Sequence, residues 1–148
     1  MPELRASLAP GQRLLGLDPG ARLIGLALSD VSLMLASPYG AIRRGKLSVN
    51  AAEIALIAKR QLVGGIVTGL PLSMDGSFGP AAQASRDWTR DLSAALALPA
   101  ALWDERLSSA AVNRFLIDEA DMTRGRRAAL VDQMAAAYML QAALDASR

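Results

Sequence analysis

The sequence predicts an α/β domain built on a mixed five-stranded sheet with helices on both faces. Three observations predict it. Apolar runs at 13–18 and 22–29, and a weaker one at 37–43, are joined by Pro, Gly and Ser, the punctuation of a β-meander. Further along, short apolar runs alternate with stretches of helical period, as parallel strands with covering helices require. The run at 65–69 lies in GGIVTGLP and is short and continuously apolar, the mark of a central strand buried on both faces.

Taken in order, RLLGLD (13–18) and RLIGLALS (22–29) form a hairpin whose turn carries Pro19 and Gly20, and SPYGAIR (37–43) adds a third strand. A helix follows at 48–62, with Ser48 as its cap and Ile54, Ile57, Ala58 and Leu62 as its apolar stripe. The strand at 65–69 then leads into a long loop, LPLSMDGSFGP (70–80), and a helix at 80–97. AALW (100–103) supplies the fifth strand. Helices at 108–119 and 126–146 complete the chain, with a basic loop at Thr123–Arg127 between them. The order is β-β-β-α-β-α-β-α-α, and 148 residues suit one domain, spanning 1–148. Any disordered tail is expected to be confined to the first dozen residues.

Composition excludes several chemistries together. With no cysteine and no histidine, the chain has no disulfide, no thiol nucleophile, no Ser-His-Asp triad and no His-ligated metal. Catalysis would have to rest on carboxylates, hydroxyls, amines or a bound cation. The net charge is +2, and Lys46 and Lys59 are the only lysines among 16 basic residues. Arginine suits phosphate through its planar fork, yet such a bias reflects genome composition as readily. The residues before the first strand have no apolar signal core, and glycines and Pro71 interrupt the longest uncharged stretch, so a cytoplasmic protein without membrane spans is expected.

The candidate site is acidic. Sites in open α/β sheets form beyond the carboxyl ends of the strands, and Asp18 and the pair Asp104–Glu105 stand at such ends. Neighbouring strand residues point to opposite faces, so only one of Asp104 and Glu105 can share a face with Asp18. Asp132 interrupts the apolar LVDQMAAAYML and falls at the edge of a Leu130, Met134, Tyr138 stripe. Converging carboxylates repel unless protonated or bridged by a cation, and Mg2+ or Mn2+ takes oxygen ligands of this kind. Each acid also has a simpler reading: Asp18 as a turn former, Asp104 or Glu105 in a surface ion pair, Asp132 as a helix-edge charge. Asp75–Gly76 is first a turn signal.

Four segments taken together favour the site. DPGARLIGLALSD (18–30), GLPLSMDGSFGPAA (69–82), WDERLSSAAVNRFL (103–116) and VDQMAAAYMLQAALD (131–145), in this order and spacing, resemble the YqgF family, also called RuvX and described as Holliday junction resolvases. The resemblance implies a ribonuclease H-like fold and a metal-dependent nuclease, a hydrolase of phosphodiester bonds acting in 5′-end processing of precursor small-subunit ribosomal RNA. It implies Asp18, Glu105 and Asp132 as catalytic acids, with Asp104 beside them in the metal set. Arg22, Arg106, Arg124, Arg126 and Arg127 are the candidate contacts to nucleic acid. Where the family often reads D-x-G-T-K-R-I-G, this chain has Ala21, Arg22 and Leu23, one hydroxyl and one basic charge fewer. Expected partners are precursor rRNA or branched DNA and ribosomal precursor particles, with the chain a monomer or homodimer.

Alternatives are a Holliday junction resolvase, a noncatalytic RNA- or protein-binding factor that keeps the fold, and a nucleotide-binding module. The last normally closes two domains over its nucleotide, and this chain has room for one. Aromatic residues, at 4%, are too few for an extended base-stacking platform.

Overall fold

A computed structural model describes residues 1–72, 75–105 and 124–148. Its elements are α1 (Pro2–Ser7), β1 (Arg13–Pro19), β2 (Leu23–Ser29), β3 (Ala36–Arg43), α2 (Leu47–Gln61), β4 (Val63–Leu70), α3 (Pro80–Leu96), β5 (Ala100–Asp104) and α4 (Arg124–Ala146). The helix expected at 108–119 lies outside the described residues. The five strands form one mixed sheet in the order β3-β2-β1-β4-β5. β1 pairs antiparallel with β2, and β2 with β3; β1 pairs parallel with β4, and β4 with β5.

Alternation along the central strands separates two cores. Leu15, Leu17, Ile24, Leu26 and Ile66 face one side, where Ile54 of α2 and Leu92 of α3 cover them. Leu14, Ala27 and Val67 face the other, against Ala136, Met139, Leu140 and Leu144 of α4. Both faces of β1 and β4 are therefore apolar, which is why these strands read as continuous hydrophobic runs.

Several expectations need correction. The first dozen residues contain α1, whose Leu4 is buried against Leu14 and the backbone of Gly65; six residues are too few for a helical period to show. Ser48 does not cap α2, whose N-cap is Lys46 without a side-chain bond. Asn50 secures that end instead: it is fully buried, accepts from Gly45 N at 2.9 Å and donates to Arg43 O at 2.9 Å. The stripe of α2 stops short of Leu62, which is 63% exposed because it adopts a left-handed conformation at the C-cap.

The last correction concerns α4. Its buried face is Val131, Ala135, Ala136, Met139, Leu140, Ala143 and Leu144, while Leu130, Met134 and Tyr138 are half-buried. Ala135, Ala136, Ala137 and Ala143 meet the core beside Met139, Leu140 and Leu144, so ranking residues by hydrophobic bulk misplaces the contact face. Asp132 stands one turn before Ala136, with its backbone against Gly25 of the sheet.

Thr68 of β4 is fully buried, and its hydroxyl has no hydrogen-bond partner among the described residues. Thr68→Val keeps the shape and removes the unmet polar group. Urea unfolding should show stability unchanged or raised by about 1 kcal/mol. A clear loss would reveal a partner for the hydroxyl.

Candidate active site

β1 carries Asp18 to the carboxyl end of the sheet and turns back into β2 through Pro19 and Gly20. The turn is tight: Gly20 N–H donates to Leu23 O at 2.8 Å. Asp18 follows Leu14 and Gly16 in alternation, so it faces α4. It is 6% exposed.

Asp18 is flanked by glycine on both sides. Gly25 of β2 is its registered partner, and Gly69 of β4 follows the Leu17–Thr68 pair. Each glycine vacates space that a second acid uses. A Cβ at Gly25 would stand 2.0 Å from Asp132 O and 2.9 Å from Gln133 N, so the α4 backbone lies directly on β2 there. The Asp132 carboxylate then reaches the hairpin turn, with Oδ1 3.5 Å and Oδ2 3.7 Å from where a Gly20 Cβ would be. On the other side, a Cβ at Gly69 would stand 2.3 Å from Glu105 Oε1, so the Glu105 side chain lies over the end of β4.

Asp18, Glu105 and Asp132 accordingly line one cleft of about 190 Å3, together with Pro19, Gly20, Gly69, Pro71 and Ser85. Alternation along β5 places one of the paired acids: Ala101 and Trp103 pack on the α4 core and Ala100 on the opposite one, so Asp104 falls on the side away from α4. Glu105, just past the strand, lies over Gly69 at the cleft. Asp104 is not among the residues lining the cleft.

The donor set fits a hard divalent cation, since three carboxylates and no nitrogen or sulfur ligand match the oxygen preference of Mg2+ and Mn2+. The acids share a cleft without being closed on one point: among the described residues, no three acidic side chains are placed to ligate a single ion. Asp18, Asp104, Glu105 and Asp132 each also hold a polar or electrostatic partner. Side-chain rotation at Glu105 and Asp132 would have to accompany ion binding.

Two cleft features escaped the sequence. Ser85 lines the cleft from α3, where a serine among polar neighbours gives no signal. Arg44, just after β3, donates from Nη1 to Gly20 O at 2.9 Å and stands 5.7 Å from the centroid of the Trp88 ring. It ties the turn after Asp18 to α3. Of the predicted arginines, Arg22 is exposed on the hairpin turn, and Arg124, Arg126 and Arg127 lie in the first turn of α4 rather than in a loop. Arg106 lies outside the described residues.

Asp30, at the far end of the same hairpin, has a separate duty. Its Oδ1 accepts from Met34 N at 2.8 Å and Leu35 N at 3.1 Å, shaping the turn into β3. The amides of Leu35 and Met34 hold its carboxyl below the usual carboxylate range.

Comparison with known proteins gives a family and a fold. The model of the RuvX family, described as Holliday junction resolvase, matches residues 12–146. A protein of Gluconacetobacter diazotrophicus named "Putative pre-16S rRNA nuclease" is 73% identical over 147 residues, covering 99% of this chain and 96% of the relative. One of the same name from Gluconobacter oxydans is 67% identical, covering 99% and 91%. Among solved structures, Thermus thermophilus RuvC in complex with a Holliday junction substrate superposes with a TM-score of 0.53 at 12% identity, over 91% of this chain and 94% of that one. That likeness gives the fold, ribonuclease H-like, as expected from the resemblance.

Proposed function

Because this chain belongs to the RuvX family, we propose that it is a metal-dependent nuclease that hydrolyses phosphodiester bonds of precursor small-subunit ribosomal RNA near the 5′ end of the mature sequence. The observation that carries the reading is the joint lining of one cleft by Asp18, Glu105 and Asp132 at the carboxyl end of the sheet. The choice of precursor rRNA rests on the names of relatives that match over nearly the whole chain. Branched DNA is the second reading, favoured by the description of the family.

Three carboxylates alone would repel a polyanionic substrate, so the cleft needs cations before it can receive a phosphodiester. Asp18, Glu105 and Asp132 are the residues that would hold Mg2+ or Mn2+. What the cation supplies when bound is neutralised charge at the scissile phosphate and a water of lowered pKa.

The chain's own part is placement. Asp18 is held on a central strand with no freedom to leave the sheet, whereas Glu105 has three side-chain torsions and arrives from the edge strand. Asp132 is set by the helix seated on Gly25. Arg22, exposed on the turn, and Arg44, which donates to Gly20 O, are the basic residues of this turn offered to the substrate backbone. In the reaction the water oxygen bonds to phosphorus, the bridging P–O bond breaks, and the leaving oxygen takes a proton. A single domain and a cytoplasmic site of action complete the proposal. Among the described residues no helix is long and apolar enough to cross a membrane.

The test is cleavage of a labelled precursor rRNA and a four-way DNA junction with magnesium or manganese, comparing Glu105→Gln with Asp104→Asn. The two neighbours are expected to be unequal: Glu105→Gln should lose about ten- to a hundredfold in rate or more, since losing even a group that supports a metal ligand costs about ten- to a hundredfold. Asp104→Asn should stay within a few-fold of wild type. Equal losses would reject the face assignment. Failure of the wild type to cut either substrate would shift the reading to a noncatalytic binding factor.

A further inference from the structure

We propose that Phe78 and Arg86 form a stacking subsite for one unpaired nucleobase beside the acidic cleft, a proposal that rests on the nuclease reading and narrows its substrate to a strand with an unpaired base next to the scissile phosphate. Phe78 is an aromatic residue 44% exposed, in a chain with few aromatics. The loop that carries it runs between two elements that reach the cleft. Pro71, near the start of the same loop, lines the cleft, and so does Ser85, the neighbour of Arg86 on α3.

The ring is presented rather than loose. Ser77 N–H donates to Asp75 Oδ1 at 2.9 Å, and Gly76 takes a φ of 85°, so the loop turns sharply just before Phe78. Arg86 stands 4.9 Å from the ring centroid and is itself held by a 2.9 Å hydrogen bond from Nη2 to Gln83 Oε1. Among the described residues no carboxylate pairs with Arg86, in contrast to Arg90, which meets Asp87 and Asp91. Arg86 therefore keeps its charge for the ring and for an incoming phosphate.

A cation against one face of an aromatic ring and solvent on the remainder suit a nucleobase. The base supplies a second π-face, the guanidinium polarises the stack, and its remaining N–H groups can reach the adjoining phosphate. Stacking of this kind is indifferent to base identity but needs the base to be unpaired, so it selects single-stranded over fully duplex substrate.

The experiment measures binding separately from cleavage. In the wild-type protein with calcium in place of magnesium, so that the acids keep a cation while cleavage is suppressed, short single-stranded RNAs are titrated by fluorescence anisotropy, both intact and with one abasic position scanned along the strand. Phe78→Ala should weaken binding of the intact strand by about 5- to 100-fold, the range that base–aromatic stacking supports, and Phe78→Trp should restore it. An abasic gap at one position should erase the difference that Phe78→Ala makes, and gaps at the other positions should leave that difference in place. No loss in Phe78→Ala, or an equal loss on intact and on every abasic strand, overturns the subsite. If none of the strands binds, the subsite is likewise overturned, while cleavage by the wild type still decides the nuclease reading independently.

Discussion

Gly25→Ala is expected to destabilise the fold by about 3 kcal/mol, the upper part of the range for overpacking a close-packed interior. The added methyl would meet backbone, Asp132 O at 2.0 Å and Gln133 N at 2.9 Å, and not the end of a side chain that can swing away. Either β2 or the whole of α4 must move. For a chain of this size about 3 kcal/mol corresponds to a melting temperature lower by roughly 6–12 °C. Activity should fall further than the folded fraction does, since any shift of α4 away from the sheet carries the Asp132 carboxylate out of the cleft. Gly45→Ala is the control, because a Cβ there meets nothing within 4 Å. Thermal unfolding followed by circular dichroism, with cleavage assayed on the folded protein, separates the two effects. A Gly25→Ala protein that melts with the wild type would show that α4 is not seated on that glycine.

Asp18→Asn should abolish cleavage with the fold intact. The two side chains have the same shape, but the amide replaces an anionic ligand by a neutral one at the most buried acid of the cleft. A loss of several kcal/mol in transition-state stabilisation is about a thousandfold or more in rate. The melting temperature should stay close to that of the wild type. Retained cleavage in a folded Asp18→Asn protein would remove Asp18 from the reaction, and with it the role of the cleft. If cleavage and folding are lost together, Asp18 serves the architecture and the test passes to Glu105→Gln, whose side chain comes from the edge strand.

The two substitutions probe different parts of one arrangement, and they differ in how far the sequence announces them. The Asp18-Pro-Gly turn, the apolar run of β4 and the acids at strand ends are visible because strand alternation and turn chemistry are local, acting over a few residues. That local pattern determined the mixed sheet, its five strands, its two helical layers and the carboxylate character of the site. It also left one clear choice open, since Asp104 and Glu105 are adjacent and the sequence has no way of telling which is on the inner face.

Tertiary structure decided that choice. Ala101 and Trp103 pack on the α4 core, so Asp104 faces away from it, and Glu105, just past β5, lies over Gly69 at the cleft. It also set the contact face of α4 on Ala136, Met139, Leu140, Ala143 and Leu144 instead of Leu130, Met134 and Tyr138, and laid the Asp132 backbone against Gly25 of the sheet. The physical reason lies in Gly16, Gly25 and Gly69: a missing side chain has no hydrophobic signal, yet it sets how closely a helix or a carboxylate can approach a strand. What a residue leaves empty becomes meaningful only when another part of the chain, distant in sequence, arrives to fill it.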